Sequence, residues 1–564
     1  MLLFFTFCFL PQPSENSQKL VHHIVSGCIG IVQTVNSQQS TVNSQLSWGG
    51  RGGVVNSQQS PDGATGIDIK PRLNKYMKAI MVVGTTSHAG KSLLVAALCR
   101  IFSRQGWRVA PFKGQNMALN SYVTAAGGEI GYAQAVQAWA AGVAPWVEMN
   151  PILLKPQGDM TSQLIIKGRA VGNVRATQYY EQYFDIGWQA IKESLEFLRQ
   201  EFDMVVCEGA GSPAEINLKH RDLTNMRVAK HLNARTVLVV DIDRGGAFAH
   251  IIGTLELLDP DERALIKGFI INKFRGQKSI LDPGLTWLEE RTGIPVVGVI
   301  PWIDEVFPAE DSLDLLDRRS PNSHTDLNIS VIRLPRISNF TDFDPLESET
   351  TVTVRYVGPR EHLGHPDAVI LPGSKTTISD LQVLRQTGMA EAIKNYLVAG
   401  GTVMGVCGGF QMLGESISDR EGIEGEQGEF QGLGLLPLKT AIAPNKIARQ
   451  RVVTSNYPQP GLPVSGYEIH QGRTQMLESD LTKPLFDDVS LGMVNNSQSV
   501  WGTYLHGIFD NGAWRRAWLN HLRQQRGLHA LPTGIPNYRE HRESLLETLA
   551  DTVEKHLDIK QILG

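Results

Sequence analysis

Two stretches of this 564-residue chain combine residue types and spacing that can do chemistry. The first is Val403-Met404-Gly405-Val406-Cys407-Gly408-Gly409-Phe410-Gln411, an apolar run that breaks on a cysteine among glycines and continues in a helical pattern. It predicts a strand, a sharp elbow and a helix. A cysteine at such an elbow meets the positive end of the helix dipole, which favours its thiolate and gives it a nucleophile's position. Gly405 and Gly409 let neighbouring backbone pass close, and the amide of Gly408 can point at an oxyanion forming on a substrate carbonyl. The partner lies far away in Tyr504-Leu505-His506-Gly507. A cysteine and a histidine both placed at strand ends suit an amidohydrolase step, in which the imidazole protonates a leaving amine. His470, within Gly466-Tyr467-Glu468-Ile469-His470-Gln471-Gly472, is the rival base. The turn Pro372-Gly373-Ser374-Lys375 closes a predicted strand over 367–371, and its Gly373 and Ser374 amides offer a second oxyanion donor.

The second stretch is Gly84-Thr85-Thr86-Ser87-His88-Ala89-Gly90-Lys91-Ser92, between an apolar strand at 79–83 and a helical run to about residue 104. Small residues let successive amides, those of Thr85 and Gly90 included, wrap an anion. Lys91 then reaches the outer phosphates of ATP, and Ser92 can hold Mg2+. Thr85 stands where the usual GxxxxGK[ST] has its first glycine, and the same variant occurs in dethiobiotin synthetase-like ATPases. Polar groups at the carboxyl ends of later strands complete the set, as open α/β sheets require. Lys113 follows the strand over 107–112, and Glu208 ends the strand over 202–207, where an acid is placed to hold magnesium. Asp241 is a weaker assistant to the metal through water, and Asn272 lies where related ATPases read the adenine edge. Asn150 to Asp159 reads as a loop bringing Lys155 and Asp159 nearby.

These residues need elements to position them. Strands alternating with helices from Met77 to about 302 predict an α/β fold with a doubly wound parallel sheet covered on both faces. A linker is expected over 303–325, and a second α/β alternation over 326–514. The arginine-rich, leucine-spaced remainder, 515–564, is expected to form helices packing on the body. Residues 1–76 repeat Val-Asn-Ser-Gln, a polar low-complexity tract with nothing to bury, so disorder is expected there and Met77 is the expected natural start. The opening apolar run, Met1 to Leu10, is too short to span a bilayer and makes a poor signal peptide.

A net charge of -4 with 20% charged residues lacks the basic excess that nucleic acid demands, leaving small molecules as partners and no membrane. Five cysteines without CxxC spacing indicate neither a disulfide framework nor a zinc site, and fit a reducing cytoplasm.

Read together, GVCGGFQ resembles the elbow of class I glutamine amidotransferases. With GTTSHAGKS, PFKGQNMALNSYVT, NPILLKPQGD, CEGAGSPAEINL, SNFTDFDPL, LPGSK, GYEIHQGRT and GTYLHGIF, the chain from Met77 onward resembles the cobyric acid synthase family. The resemblance implies an N-terminal ATP- and magnesium-dependent amidoligase and a C-terminal cobalamin-type glutamine amidotransferase. Cys407 would take the amide of glutamine through a thioester, with His506 as acid and base. The ammonia would amidate the b, d, e and g carboxylates of a corrinoid, adenosylcobyrinic acid a,c-diamide. The glutamate that many such glutaminases carry two residues after the histidine is replaced by Ile508, so the group orienting His506 is left unassigned. A cobyrinate a,c-diamide synthase and a nonenzymatic partition-type ATPase are the alternatives.

Overall fold

Strand β1, Lys78–Gly84, buries each residue from Ile80 onward, the pattern of a parallel strand covered on both faces. It and five others form a sheet in the computed structural model, which describes residues 77–158, 160–303, 325–477 and 480–564. The expectations for 1–76, for nearly all of the linker (304–324) and for Asp159 lie outside the described residues. Strands β2 (Val109–Phe112), β3 (Met204–Glu208), β4 (Arg235–Asp241), β5 (Ile266–Phe274) and β6 (Val296–Pro301) complete that sheet, in the order β6-β5-β4-β1-β3-β2. All its pairings are parallel. Helix α1, Lys91–Arg104, leaves β1 through the glycine-bearing loop, and α2, Tyr132–Ala140, packs beside it.

Between β2 and β3 the chain builds an inserted four-stranded sheet: Gln115–Met117, Ile152–Pro156, Thr161–Ile166 and Arg169–Arg175. Lys155 therefore stands on a strand, where the sequence reading placed a loop. The run Ile152-Leu153-Leu154 is too apolar for a solvated loop and is buried against the sheet beneath.

The C-terminal half repeats the strand and helix logic. Strands β7 (Leu327–Ile332), β8 (Val352–Val357), β9 (Ala368–Leu371) and β10 (Thr402–Val406) precede a long hairpin of β11 (Leu438–Thr454) and β12 (Pro463–Met476), after which β13 (Val500–Thr503) rejoins the first sheet. That sheet runs β8-β7-β9-β10-β13, parallel throughout, with two antiparallel strands added at the β13 edge. Helix α3, Gly408–Met412, follows β10 directly. The C-terminal helices divide between two cores. Helix α4, Gly512–Gln525, buries Trp514, Trp518 and Leu519 in the second half, whereas α5, Tyr538–Lys555, returns Leu546, Leu549 and Val553 to the core around α1. The described residues of both halves fall in one compact unit. No helix among them is long and apolar enough to cross a membrane.

Candidate active site

The elbow is built by close backbone contact. Cys407 has φ 51° and ψ −106°, a conformation costly for a side chain other than glycine. Surrounding hydrogen bonds hold it there: its N–H donates to the Thr503 carbonyl at 2.7 Å, and its carbonyl accepts from the Gln411 N–H at 3.0 Å. A Cβ on Gly405 would sit 2.6 Å from the Gly409 backbone, and one on Gly409 would collide with the Leu371 carbonyl oxygen. Those two glycines let β9, β10 and α3 approach closely enough to lift the sulfur off the strand end. On Gly408 a Cβ would come within 2.8 Å of the Ser374 nitrogen, so the backbone of the elbow packs closely against the turn that carries Ser374. Gly373 lies instead against the imidazole of His506, 3.4 Å from its Cε1 by the same construction.

His506 reaches the elbow from a two-residue strand, Leu505–His506, that pairs with β12 opposite Tyr467. Its Nδ1 lies 2.6 Å from Asp342 Oδ2, and the Gly507 N–H donates to Asp342 Oδ1 at 2.9 Å. With Nδ1 committed, Nε2 is the nitrogen left for the sulfur. Burial pulls the imidazole pKa down, but the Asp342 carboxylate and a hydrogen bond to Cys407 outweigh it and raise it to about 10. Tyr467 stacks on the ring at 5.4 Å, fixing its plane. His470 lines the same cavity but has both ring nitrogens engaged: Nδ1 lies 2.8 Å from the Gly472 carbonyl, Nε2 3.1 Å from Glu468, and its ring stacks on Tyr504 at 3.8 Å.

Asp342 is the residue that the sequence reading missed. It lies in the short 3-10 turn Phe340–Phe343, inside SNFTDFDPL, 164 positions from its histidine. The position two residues after His506, where many such glutaminases carry a glutamate, holds Ile508, so nothing local to the histidine points to Asp342. An acid among aromatic residues, where a charge must have a partner, was the available signal.

Cys407, Gly408, Ser374 and His506 line one cavity of ≈ 40 Å³, to which Lys155 and Lys446 also contribute. Lys155 comes from the N-terminal half. It donates to Glu129 at 2.9 Å while Lys446, from β11, donates to the other oxygen at 2.5 Å. Burial pushes the Glu129 carboxyl up, and the two lysines overcome that and hold it well below the usual carboxylate range. Asn339 and Ser121 hydrogen-bond across the same seam at 3.2 Å in both directions.

The nucleotide side gathers its polar groups at the carboxyl ends of β1, β2, β3 and β5. Gly90, at φ 94°, begins α1. The Lys91 ammonium donates to the Thr86 carbonyl at 2.9 Å and the Gly211 carbonyl at 3.0 Å. Ser92 Oγ and Lys113 Nζ both donate to Glu208 Oε1 at 2.8 Å, and Gln137 Nε2 donates to the other oxygen at 2.6 Å. Thr85 is buried, and its N–H donates to the Val239 carbonyl at 2.9 Å. Asn272, expected at the adenine edge, donates to the Ala89 carbonyl at 2.8 Å and braces the loop. Asp241 accepts from Lys273 at 2.8 Å. The Ser92 and Glu208 oxygens are close enough to share one hard cation. Among the described residues no cluster of three or more His, Cys, Asp or Glu could hold a metal.

Comparison with known proteins agrees with this division. Residues 328–514 match the CobB/CobQ-like glutamine amidotransferase domain family, and residues 80–316 the CobQ/CobB/MinD/ParA nucleotide binding domain family. A cobyric acid synthase of Nostoc sp. is 73% identical over 490 residues, covering 86% of this chain and 99% of that protein. Those of Trichodesmium erythraeum and Synechococcus elongatus are 70% and 66% identical, each over 86% of this chain and at least 99% of the relative. The fold, the paired sites and these relatives lead to one conclusion: the chain belongs to the cobyric acid synthase family.

Proposed function

We propose that this chain uses glutamine and ATP to amidate the b, d, e and g carboxylates of adenosylcobyrinic acid a,c-diamide, giving adenosylcobyric acid. The supporting observation is one cavity lined by a thiol, an aspartate-bound imidazole, Gly408 and Ser374, and also by a lysine of the ligase half. The side-chain amide of glutamine is presented at that cavity, and the Cys407 sulfur attacks its carbon. The oxyanion is met by the amides of Gly408 and Ser374, with Gly373 shaping the approach. His506 gives a proton to the departing nitrogen, leaving a γ-glutamyl thioester and ammonia. Water then releases glutamate, with His506 as base and Asp342 holding its tautomer.

In the N-terminal half Gly90 and Lys91 cradle the ATP phosphates, with Thr85 offering its hydroxyl, unpartnered among the described residues, because its amide is held by the Val239 carbonyl, and Lys113 and Asn272 complete the binding loop. Magnesium, held by Ser92 and Glu208, would neutralise phosphate charge during transfer. The γ-phosphoryl group passes to a corrinoid carboxylate because a carboxylate at neutral pH is no electrophile. Ammonia adds to the acyl carbon, phosphate leaves, and the amide remains. The free thiol of Cys407 suits a reducing cytoplasm.

Mass spectrometry of the corrinoid after incubation with glutamine and ATP tests the reading. Stepwise conversion of four acids to amides is expected. An unchanged corrinoid with either glutamine or ammonium present would overturn it, and amidation at the a and c positions would favour the sister activity.

A further inference from the structure

Behind the glutaminase histidine lies a second, larger cavity of ≈ 780 Å³, within the range that holds a small organic ligand. Three parts of the fold wall it. Helix α2 turns Gln134 and Gln137 toward Glu208 and its opposite face, with Tyr132 and Trp139, into the cavity. The glutaminase contributes Asp342 and Tyr467, the two side chains that fix His506. The start of α5 brings Arg539 and Arg542.

Arg542 is the anomaly. Only 5% of it is exposed, yet among the described residues it makes no hydrogen bond and no ion pair, and its Nε is buried without a partner. The face of Trp139 lies 3.8 Å from the guanidinium, and the buried Asp510 is the acid whose charge acts on it without a hydrogen bond. A buried Nε without an acceptor is costly unless a ligand satisfies the guanidinium. The cavity's own acids are largely committed elsewhere: Asp342 to His506, and Glu543 to Arg100 at 2.5 Å. Asp510 remains, against two arginines.

We propose that this cavity binds a small organic anion with a planar apolar body. The acidic head lies on Arg542, where a guanidinium offers two parallel donors, and the ring lies against Trp139, Tyr122 and Tyr132. Because the occupant touches Asp342 and Tyr467, its binding alters the set of His506 and so the rate of glutamine hydrolysis. This last step rests on the glutaminase reading.

The test is a fluorescence titration of the full chain with 1-anilinonaphthalene-8-sulfonate, a planar aromatic anion, with ATP and magnesium present. The expected result is one saturable site, undisplaced by the nucleotide, that changes the rate of glutamine hydrolysis when filled. Arg542→Met should weaken binding roughly tenfold, the loss of one charge-assisted contact. Ala144→Glu, at an exposed rim position, should weaken it by repulsion with the core untouched, which keeps the test decisive where Arg542→Met fails to fold. No saturable binding, displacement by ATP, or equal affinity in a folded variant would overturn the site. Unchanged hydrolysis at saturation would overturn the coupling, whereas absence of hydrolysis without the probe would count against the glutaminase reading alone.

Discussion

The two halves of the molecule hold their reactive groups by different means. In the glutaminase half, backbone fixes the nucleophile: Cys407 is pinned between Thr503 and Gln411, and glycines leave no room for another atom. In the nucleotide half, side chains fix one another: Ser92, Lys113 and Gln137 converge on Glu208, while Lys91 sits on two carbonyls. Hydrogen bonds of the second kind exchange readily for phosphate oxygens, which suits a site that must admit and release a nucleotide. The first kind suits a nucleophile that must stand ready in one geometry.

Substitutions can break or sharpen that contrast. The largest expected effect is Lys91→Ala, which should stop amidation from glutamine and from ammonium alike by at least about 10³-fold, the scale of a cation acting on a transferring phosphoryl group. Amidation rates with each nitrogen source check it.

Asp342→Asn should cut glutamine hydrolysis by roughly 10²- to 10⁴-fold through loss of imidazole orientation, and leave ammonium-dependent amidation intact. It should also lower the His506 pKa, readable by NMR titration. The sign follows from the folded value of about 10 against the ordinary 6.5. The protonated imidazole contributes stability that is complete below pH 6.5 and is lost as pH rises through about 10. The advantage of the parent over Asp342→Asn in thermal unfolding should therefore shrink across that window.

Gly409→Ala tests the backbone-held elbow itself. The added methyl meets the Leu371 carbonyl, so a loss of about 1–3 kcal/mol is expected in denaturant unfolding, together with loss of glutaminase activity. Ser92→Ala, in the side-chain-held site, should leave stability nearly unchanged while lowering nucleotide-dependent activity. Smallest of all, Lys446→Met leaves Glu129 with Lys155 and should lower only the yield of amide per glutamine hydrolysed.

What could be read from the sequence follows the same contrast. The elbow and the phosphate loop are local: each is a strand, a turn and a helix in consecutive residues, and periodicity with glycine placement reveals them. The His506 and Asp342 pair is not, since it joins a two-residue strand to a short turn 164 positions earlier. Lys155 reads as a loop lysine near the nucleotide groups because its neighbours, Glu129 and Lys446, come from separate elements and from both halves. The C-terminal helices show amphipathic spacing but not their destinations, which Trp514 and Leu549 settle by joining different cores. Chemistry carried within one supersecondary unit is legible, and chemistry assembled across the fold is not.

The claim that one chain couples two separate centres is tested most directly by Cys407→Ala, assayed for corrinoid amidation with glutamine and, separately, with ammonium salt. The account predicts no product from glutamine and undiminished product from ammonium. Loss of both, or retention of glutamine use without the sulfur, would contradict it.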